Sequence, residues 1–384
     1  MIKVEDKSIC CGCGACANAC PLKCIKMKED CEGFVYPEVD LSICVDCGRC
    51  ESVCPYLRTG QEDETVACYA SRSSEHMEGS SSGGIFPLLA SFIIKSGGIV
   101  VGAAFENVRN VRHKCVDGMY GLPELYGSKY VQSDTGNTFC EVEKYLKEGK
   151  SVLYSGTPCQ IAGLKAYLVD DYPQLFTVDV ACHGVPSPGL WRRYVASVGD
   201  KYRMNIDAVN FRDKSRSWKS YAVRYDAGQK AIRVNHSDDP YMLLFLQNIS
   251  LRPSCYNCSF RSSGSGSDIT LGDLWNVASV APELHDDKGA SVVIVKTSRG
   301  VEMLESVLPD AMREVGRKEA VAGNSGFAVS LAVPESRRGF FDGLAGAASL
   351  QDYVEGFINR KSWASAIYGK FHSLAARIKR NIFR

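Results

Sequence analysis

Residues 151–168 read SVLYSGTPCQIAGLKAYL, and the change of pattern at their middle decides the fold. The apolar run 151–155 has the length of a buried strand. Thr157 then stands as an N-cap, with Pro158 at the first helical position. The same passage from apolar run to helical pattern recurs as LFTVDVA into CHGVPSPGLWRRYVASV and as SVVIVKT into RGVEMLESVL. This alternation predicts an α/β domain with a partly parallel mixed sheet. In such sheets, sites collect beyond the carboxyl ends of the strands.

Two cysteines stand at strand ends of this kind. Cys159 follows the strand predicted over 151–155, and Cys182 follows the one predicted over 175–181. A thiolate near the first turn of a helix is favoured by the free N–H groups and the dipole there. Both are expected on one rim of the sheet. The CxxC pair Cys255 and Cys258, in RPSCYNCSFR (252–261), then closes a set of four. Four cysteines from three segments predict a metal site, either iron–sulfur or zinc.

The amino-terminal end carries a denser signal. CCGCGACANACP (10–21) and CVDCGRCESVCP (44–55) both contain CxxCxxCxxxCP, each cysteine recurring 34 residues later. The spacing suits iron–sulfur chemistry, because a tight loop wraps three thiolates round one cluster while the fourth cysteine, before the proline, reaches the other. A pair of zinc knuckles is the competing reading, but structural zinc usually spaces its ligands as two separate CxxC-type pairs. The pattern resembles bacterial two-cluster ferredoxins. By that resemblance Cys10, Cys13, Cys16 and Cys54 hold one [4Fe–4S] cluster, and Cys44, Cys47, Cys50 and Cys20 hold the second. Cys11, Cys24 and Cys31 fall outside the register and are read as small buried hydrophobes.

The rest of the composition sets bounds. The chain has 384 residues and 18 cysteines, with 45 Lys and Arg against 44 Asp and Glu. The charge balance gives no argument for nucleic acid. No secretory pattern opens MIKVEDKSIC, so a reducing, cytoplasmic setting is expected, where clustered cysteines bind metal more often than they cross-link. Residues 85–105, IFPLLASFIIKSGGIVVGAAF, are long enough to span a membrane. Pro87, Lys95 and the Gly97–Gly98 pair interrupt them, and they read as a helix to about Lys95, a glycine turn and a strand from Ile99 to Phe105. The expected organisation is a ferredoxin-type α+β module over 1–60, the α/β domain over 65–310 (parts 65–148 and 149–310), and a helical extension over 311–384. From Asn359 that extension holds seven Lys or Arg and no acid, with Ile367, Phe371, Leu374, Ile378 and Ile382 at helical spacing. Packing on its own domain competes there with contact to an anionic membrane surface or a partner.

The segments SSSGGIFPLLASFI, GSKYVQSD, LYSGTPCQIAGLKAYL, VDVACHGVPSP, FRDKSRSW, LRPSCYNCSF and DITLGDLW together resemble the coenzyme F-420 hydrogenase/dehydrogenase beta-subunit family, over about residues 65–310. The resemblance implies a flavin-containing iron–sulfur protein with FAD in the α/β domain and a third [4Fe–4S] cluster on Cys159, Cys182, Cys255 and Cys258. On it, the Ser/Gly turn Ser81, Ser82, Gly83 and Gly84 cradles a phosphate with backbone N–H groups. Gly127, Ser128, Lys129 and Tyr130 form a second flavin segment, and Thr157 and Gln160 flank both cluster and flavin. Arg212, Lys214 and Asp273 are candidates for substrate contact, and His183 for proton transfer, against structural roles for each. The implied activity is an oxidoreductase that moves electrons between a one-electron partner, ferredoxin-like or enzymatic, and a two-electron substrate, a small molecule or the deazaflavin coenzyme. An electron-transfer subunit without its own substrate, or a reductase serving cell-surface polysaccharide synthesis, are the alternatives.

Overall fold

The computed structural model describes residues 1–58, 64–261, 264–327 and 330–358; the basic segment from Asn359 onward lies outside the described residues. The N-terminal module is built on an antiparallel pair, β1 (Ile25–Glu29) and β2 (Val35–Val39), with short helices Ala15–Ala19 and Arg49–Ser52. Each helix lies within one cysteine run and opens on a glycine in the left-handed region, Gly14 at φ 77° and Gly48 at φ 74°. A side chain there meets the steric cost that glycine escapes. The duplication in sequence is therefore also one of backbone.

Beyond it come β3 (Ala67–Arg72), β4 (Ile99–Asn107), β5 (Asn110–Val116), β6 (Val152–Gly156), β7 (Leu175–Val180), β8 (Ala208–Asp213), β9 (Ala222–Ala227), β10 (Lys230–Asn235), β11 (Ile269–Asp273), β12 (Ser291–Val295) and β13 (Ala311–Glu314). Eight of these form one sheet, ordered β13-β3-β12-β11-β7-β6-β4-β5. Its centre, β11, β7, β6 and β4, is parallel, and both flanks are antiparallel. The expected mixed sheet is present. Strands β8 to β10 make a separate antiparallel sheet of three.

Parallel strands are covered on both faces. Helices Ile85–Lys95 and Ser298–Val307 bury Leu89, Ile93, Met303 and Leu304 on one face, against Leu153 and Val178. Helices Thr138–Lys147 and Pro158–Leu168 bury Phe139, Val142, Ile161 and Leu164 on the other, against Val101 and Tyr154. The second core also contains Cys11, Cys13, Ala15, Ala19 and Val53. The cysteine module thus shares a core with the sheet. Hydrogen bonds from Thr135 Oγ1 to the Cys13 carbonyl (2.8 Å) and from Asn18 Nδ2 to the Gly136 carbonyl (2.8 Å) fix it there.

The stretch 85–105 forms helix Ile85–Lys95, a turn with Gly97 at φ 78°, and β4. Among the described residues no helix is long and apolar enough to cross a membrane. The segment from 311 differs from a purely helical extension: it opens with β13, which covers the outer edge of β3, and turns helical at Arg317–Val321, Ser336–Leu344 and over 350–358. β13 becomes the edge itself, but it is only four residues long, and short edge strands limit unwanted pairing.

Candidate metal centres and the adjoining cavity

Strand β6 ends at Gly156, and Cys159 is the second residue of the helix that follows. Cys182 lies just past β7, and Cys255 closes the 3-10 turn Pro253–Cys255. These two and Cys258 line one small cavity with Cys159, so the four cysteines of three segments are brought together. The cavity is also lined by Cys11, Tyr56, Arg252 and Arg261, none of them expected there.

Burial pushes Cys182 well up, Cys255 to about 12 and Cys258 to about 11, and each is raised further by its neighbours. Cys159 is raised first by its contact with Cys11, then by burial. Such thiols cannot ionise together unless positive charge enters among them, which is what iron or zinc supplies. Two observations fit an anionic centre here. Arg261 is buried, with its Nε and Nη1 lacking a hydrogen-bond partner among the described residues. The Val185 N–H points at the Cys255 sulfur, at 3.4 Å, the kind of bond that tunes a thiolate ligand. Among the described residues no three His, Cys, Asp or Glu side chains close tightly enough to hold a single ion. A cubane cluster asks for a wider ring of sulfurs than an ion does.

In the N-terminal module Cys20, Cys44, Cys47 and Cys50 line one cavity, joined by Cys24, whose sulfur is 3.3 Å from that of Cys20. Burial raises Cys16 and Cys54, and Cys10 raises both further, as close neighbours do. Cys13 leans the other way, against Gly163 of helix Pro158–Leu168 and beside Cys11. Two of the three spare cysteines are buried as expected, yet each adjoins a ligand set: Cys24 the Cys20 set, and Cys11 Cys159. Cys31 is exposed rather than buried, because it sits on the turn between β1 and β2. The placement of Cys11 was illegible from spacing, which makes it a mere filler between Cys10 and Cys13. Arg252 and Arg261 had a faint signal, since they bracket the CxxC pair in RPSCYNCSFR.

Behind this cavity lies a larger one of about 540 Å³, and Cys182, Gly184 and Val185 wall both. Of the residues expected to hold a flavin, Ser81, Ser82, Gly127, Ser128, Lys129, Tyr130, Thr157 and Gln160 line it. Gly83 and Gly84 stand behind the wall. A Cβ on Gly83 would lie 2.7 Å from the Ser71 carbonyl, so its role is close packing of the turn on the sheet. Ser81 Oγ accepts from the Ser128 N–H at 2.7 Å, tying the two segments together. The first turn of helix Ile85–Lys95, through Ile85, Phe86 and Pro87, faces the same space and brings the positive end of its dipole. Thr157 and Gln160 are bound to each other, the Thr157 N–H donating to Gln160 Oε1 at 2.9 Å.

The cavity's charged groups are individually held. Lys129 donates to the carbonyls of Glu124 (3.0 Å) and Tyr126 (2.7 Å), and burial lowers its pKa to about 7. His113 shares hydrogen bonds with the Ser155 carbonyl and with Ser133, and burial lowers it to about 4, so it is neutral at physiological pH. His183 is held between Ser325 Oγ (2.9 Å) and Asn248 Oδ1 (2.6 Å). Arg212 pairs with Asp273 at 2.9 Å and lies 4.2 Å from the centre of the Tyr221 ring, while its Nε has no partner among the described residues. Lys214 donates to the Ser82 carbonyl at 2.9 Å, outside the cavity wall.

Residues 149–320 match the family model for the C terminus of the coenzyme F420 hydrogenase/dehydrogenase beta subunit, and residues 9–57 match that of a 4Fe-4S dicluster domain. Over residues 149–320 the chain is similar to that beta-subunit family. No curated protein matches it. Among solved structures it is similar to a chain of the F420-reducing [NiFe] hydrogenase complex from Methanosarcina barkeri, studied by xenon derivatization. That likeness has a TM-score of 0.45 and 17% identity, covering 68% of this chain and 85% of the other. The 4Fe-4S dicluster match supports iron–sulfur electron transfer.

Proposed function

We propose that the protein is an iron–sulfur flavoprotein oxidoreductase with two [4Fe–4S] clusters in the N-terminal module, a third on Cys159, Cys182, Cys255 and Cys258, and FAD in the 540 Å³ cavity. The observation that carries this reading is the shared wall: Cys182, Gly184 and Val185 separate the four-cysteine cavity from the larger one. When bound, the clusters would supply one-electron exchange, and the flavin would convert it to hydride chemistry.

The chain's own residues do the rest. The ring of protein round the cysteines excludes water and holds the sulfurs apart. Ser81, Ser128 and the first turn of helix Ile85–Lys95 present hydrogen-bonding groups and a positive dipole suited to a phosphate. Lys129, lowered by burial to a pKa of about 7, would offer adjustable positive charge to a flavin held in this cavity. His113 and His183, held by their neighbours, have orienting rather than proton-moving roles. The partners that follow are a one-electron protein on the N-terminal module and a two-electron small molecule, the deazaflavin coenzyme among the candidates, at the large cavity.

Anaerobic purification with iron, sulfide and flavin analysis tests the reading. About twelve iron and twelve sulfide, four per cluster, with one FAD are expected; eight iron with one zinc would remove the third cluster. Hydride transfer by the isolated chain separates an enzyme from an electron-transfer subunit.

A further inference from the structure

Arg252 is completely buried, and its guanidinium has no carboxylate partner among the described residues. Its Nε donates to the Cys10 carbonyl (2.8 Å), Nη1 to Gln132 Oε1 (3.0 Å), and Nη2 to the Val35 carbonyl (3.0 Å). Nη2 also faces the Cys10 sulfur at 3.8 Å, and the Tyr36 ring centre is 4.2 Å away. The carbonyls, the amide and the ring are all neutral. A permanent cation buried without a counter-ion is among the costliest arrangements in a protein core, and guanidinium does not escape by losing its proton.

The position of Arg252 says what the counter-ion is. It contacts Cys10, which belongs to the first N-terminal ligand set, and it lines the cavity of Cys159, Cys182, Cys255 and Cys258. The chain is shaped to admit it. Gly12, between the two sites, lies where a Cβ would be 2.9 Å from Nη1, and its φ of 69° suits glycine.

We infer that Arg252 is a positioning residue that acts as the shared counter-ion of the Cys10-side cluster and the third cluster, raising both reduction potentials together. The inference rests on the reading that clusters occupy both sites. Reduction adds negative charge to a cluster, and a fixed cation nearby favours that state. A cation shared by both centres shifts their potentials in the same direction, so that raising one does not open a gap to the other. The cluster on Cys20, Cys44, Cys47 and Cys50 lies outside its contacts and is not tuned by it.

The test uses the full chain, purified anaerobically, as wild type, Arg252→Gln and Arg252→Lys. Iron and sulfide are measured, and each cluster is titrated potentiometrically by electron paramagnetic resonance. In Arg252→Gln the ratio of reduced to oxidised centre at a fixed poise should fall about tenfold for the Cys10-side and third clusters, equivalent to about 59 mV for a one-electron couple. The Cys20-side cluster should not move, and Arg252→Lys, which keeps the charge, should restore the wild-type ratio. Unmoved potentials in a fully loaded Arg252→Gln, or an equal shift of all three clusters, overturn the inference. If the Gln variant loses its clusters, the Lys variant decides: wild-type potentials support the inference, and a tenfold fall in both overturns it. A wild type with eight iron and no third cluster would remove the functional reading above, and the titration of the Cys10-side cluster would still decide whether Arg252 tunes it.

Discussion

Gly163→Ala is the substitution that most directly tests how the cysteine module meets the sheet domain. Gly163 lies inside helix Pro158–Leu168, where alanine normally adds about 0.8–1.0 kcal/mol. Here the added Cβ would stand 2.8 Å from the Cys13 sulfur and 2.9 Å from its Cβ. Comfortable contact needs roughly 3.5–4.0 Å, so one of the two must retreat by about 0.6–1 Å. Neither side yields easily. Cys13 is buried with its carbonyl tied to Thr135, and the helix is wedged between Phe139 and β6. Overpacking of this kind costs about 1–3 kcal/mol, which exceeds the gain in helix propensity. The expected net is a loss of up to about 2 kcal/mol. The assay is anaerobic thermal unfolding, paired with electron paramagnetic resonance of the Cys10-side cluster, whose signal should change while that of the Cys20-side cluster persists. Gly339→Ala is the control: it lies in helix Ser336–Leu344 with no neighbour near the new Cβ, and should gain about 1 kcal/mol. A Gly163→Ala protein that gains stability as the control does, with unchanged cluster spectra, would show that loop and helix are not in this contact.

Two further outcomes are expected. Cys182→Ala and Cys258→Ala should each lower iron by about four per chain and leave both N-terminal cluster signals; full iron with unchanged spectra in either variant would exclude that residue as a ligand. His113 sits below its ordinary pKa of 6.5, at about 4, because burial penalises its charged form. The unfolded chain therefore takes up this proton first as pH falls. The stability contributed is present above about pH 6.5 and is lost progressively between there and about pH 4, on the order of 3 kcal/mol in all. Thermal midpoints measured across that window should fall less steeply for His113→Gln than for wild type, and parallel slopes would contradict the assignment.

The parallel centre of the sheet was legible because each of its units is local. A short apolar run, a cap and a proline at the first helical position all lie within the eighteen residues 151–168. The flanks were not, because strand direction depends on partners far away in sequence. Strand β12 leads into a helix just as β6 does, yet it runs antiparallel to both neighbours, pairing Val295 with Ile269 and with Ala67. The three-stranded sheet β8 to β10 and the edge strand β13 share this difficulty. The clustering of the proposed ligands was legible for a different reason. Cysteines in a repeated register carry chemistry whatever the pairing, and the strand-end rule brings Cys159 and Cys182 to one rim.

Cys11 marks where that reasoning stops. Register defines it as a residue between ligands, and register describes only the face of the loop turned to Cys16 and Cys54. The loop has a second face. Gly12 turns with φ 69° under the Arg252 guanidinium, Gln132 holds the Cys11 carbonyl at 2.9 Å, and the Cys11 side chain is directed to Cys159. None of these partners lies within a hundred residues of Cys11, so no local pattern could announce them. On the proposed reading the CCGC run serves two sites at once, wrapping one while its backbone and spare thiol close the wall of the other. An added Cβ at Gly12 would press on the guanidinium, and one at Gly163 on Cys13, from opposite sides of the same loop. On the proposed reading, a loop with no slack on either side would fix the separation of the two sites, the quantity on which electron passage between them would depend.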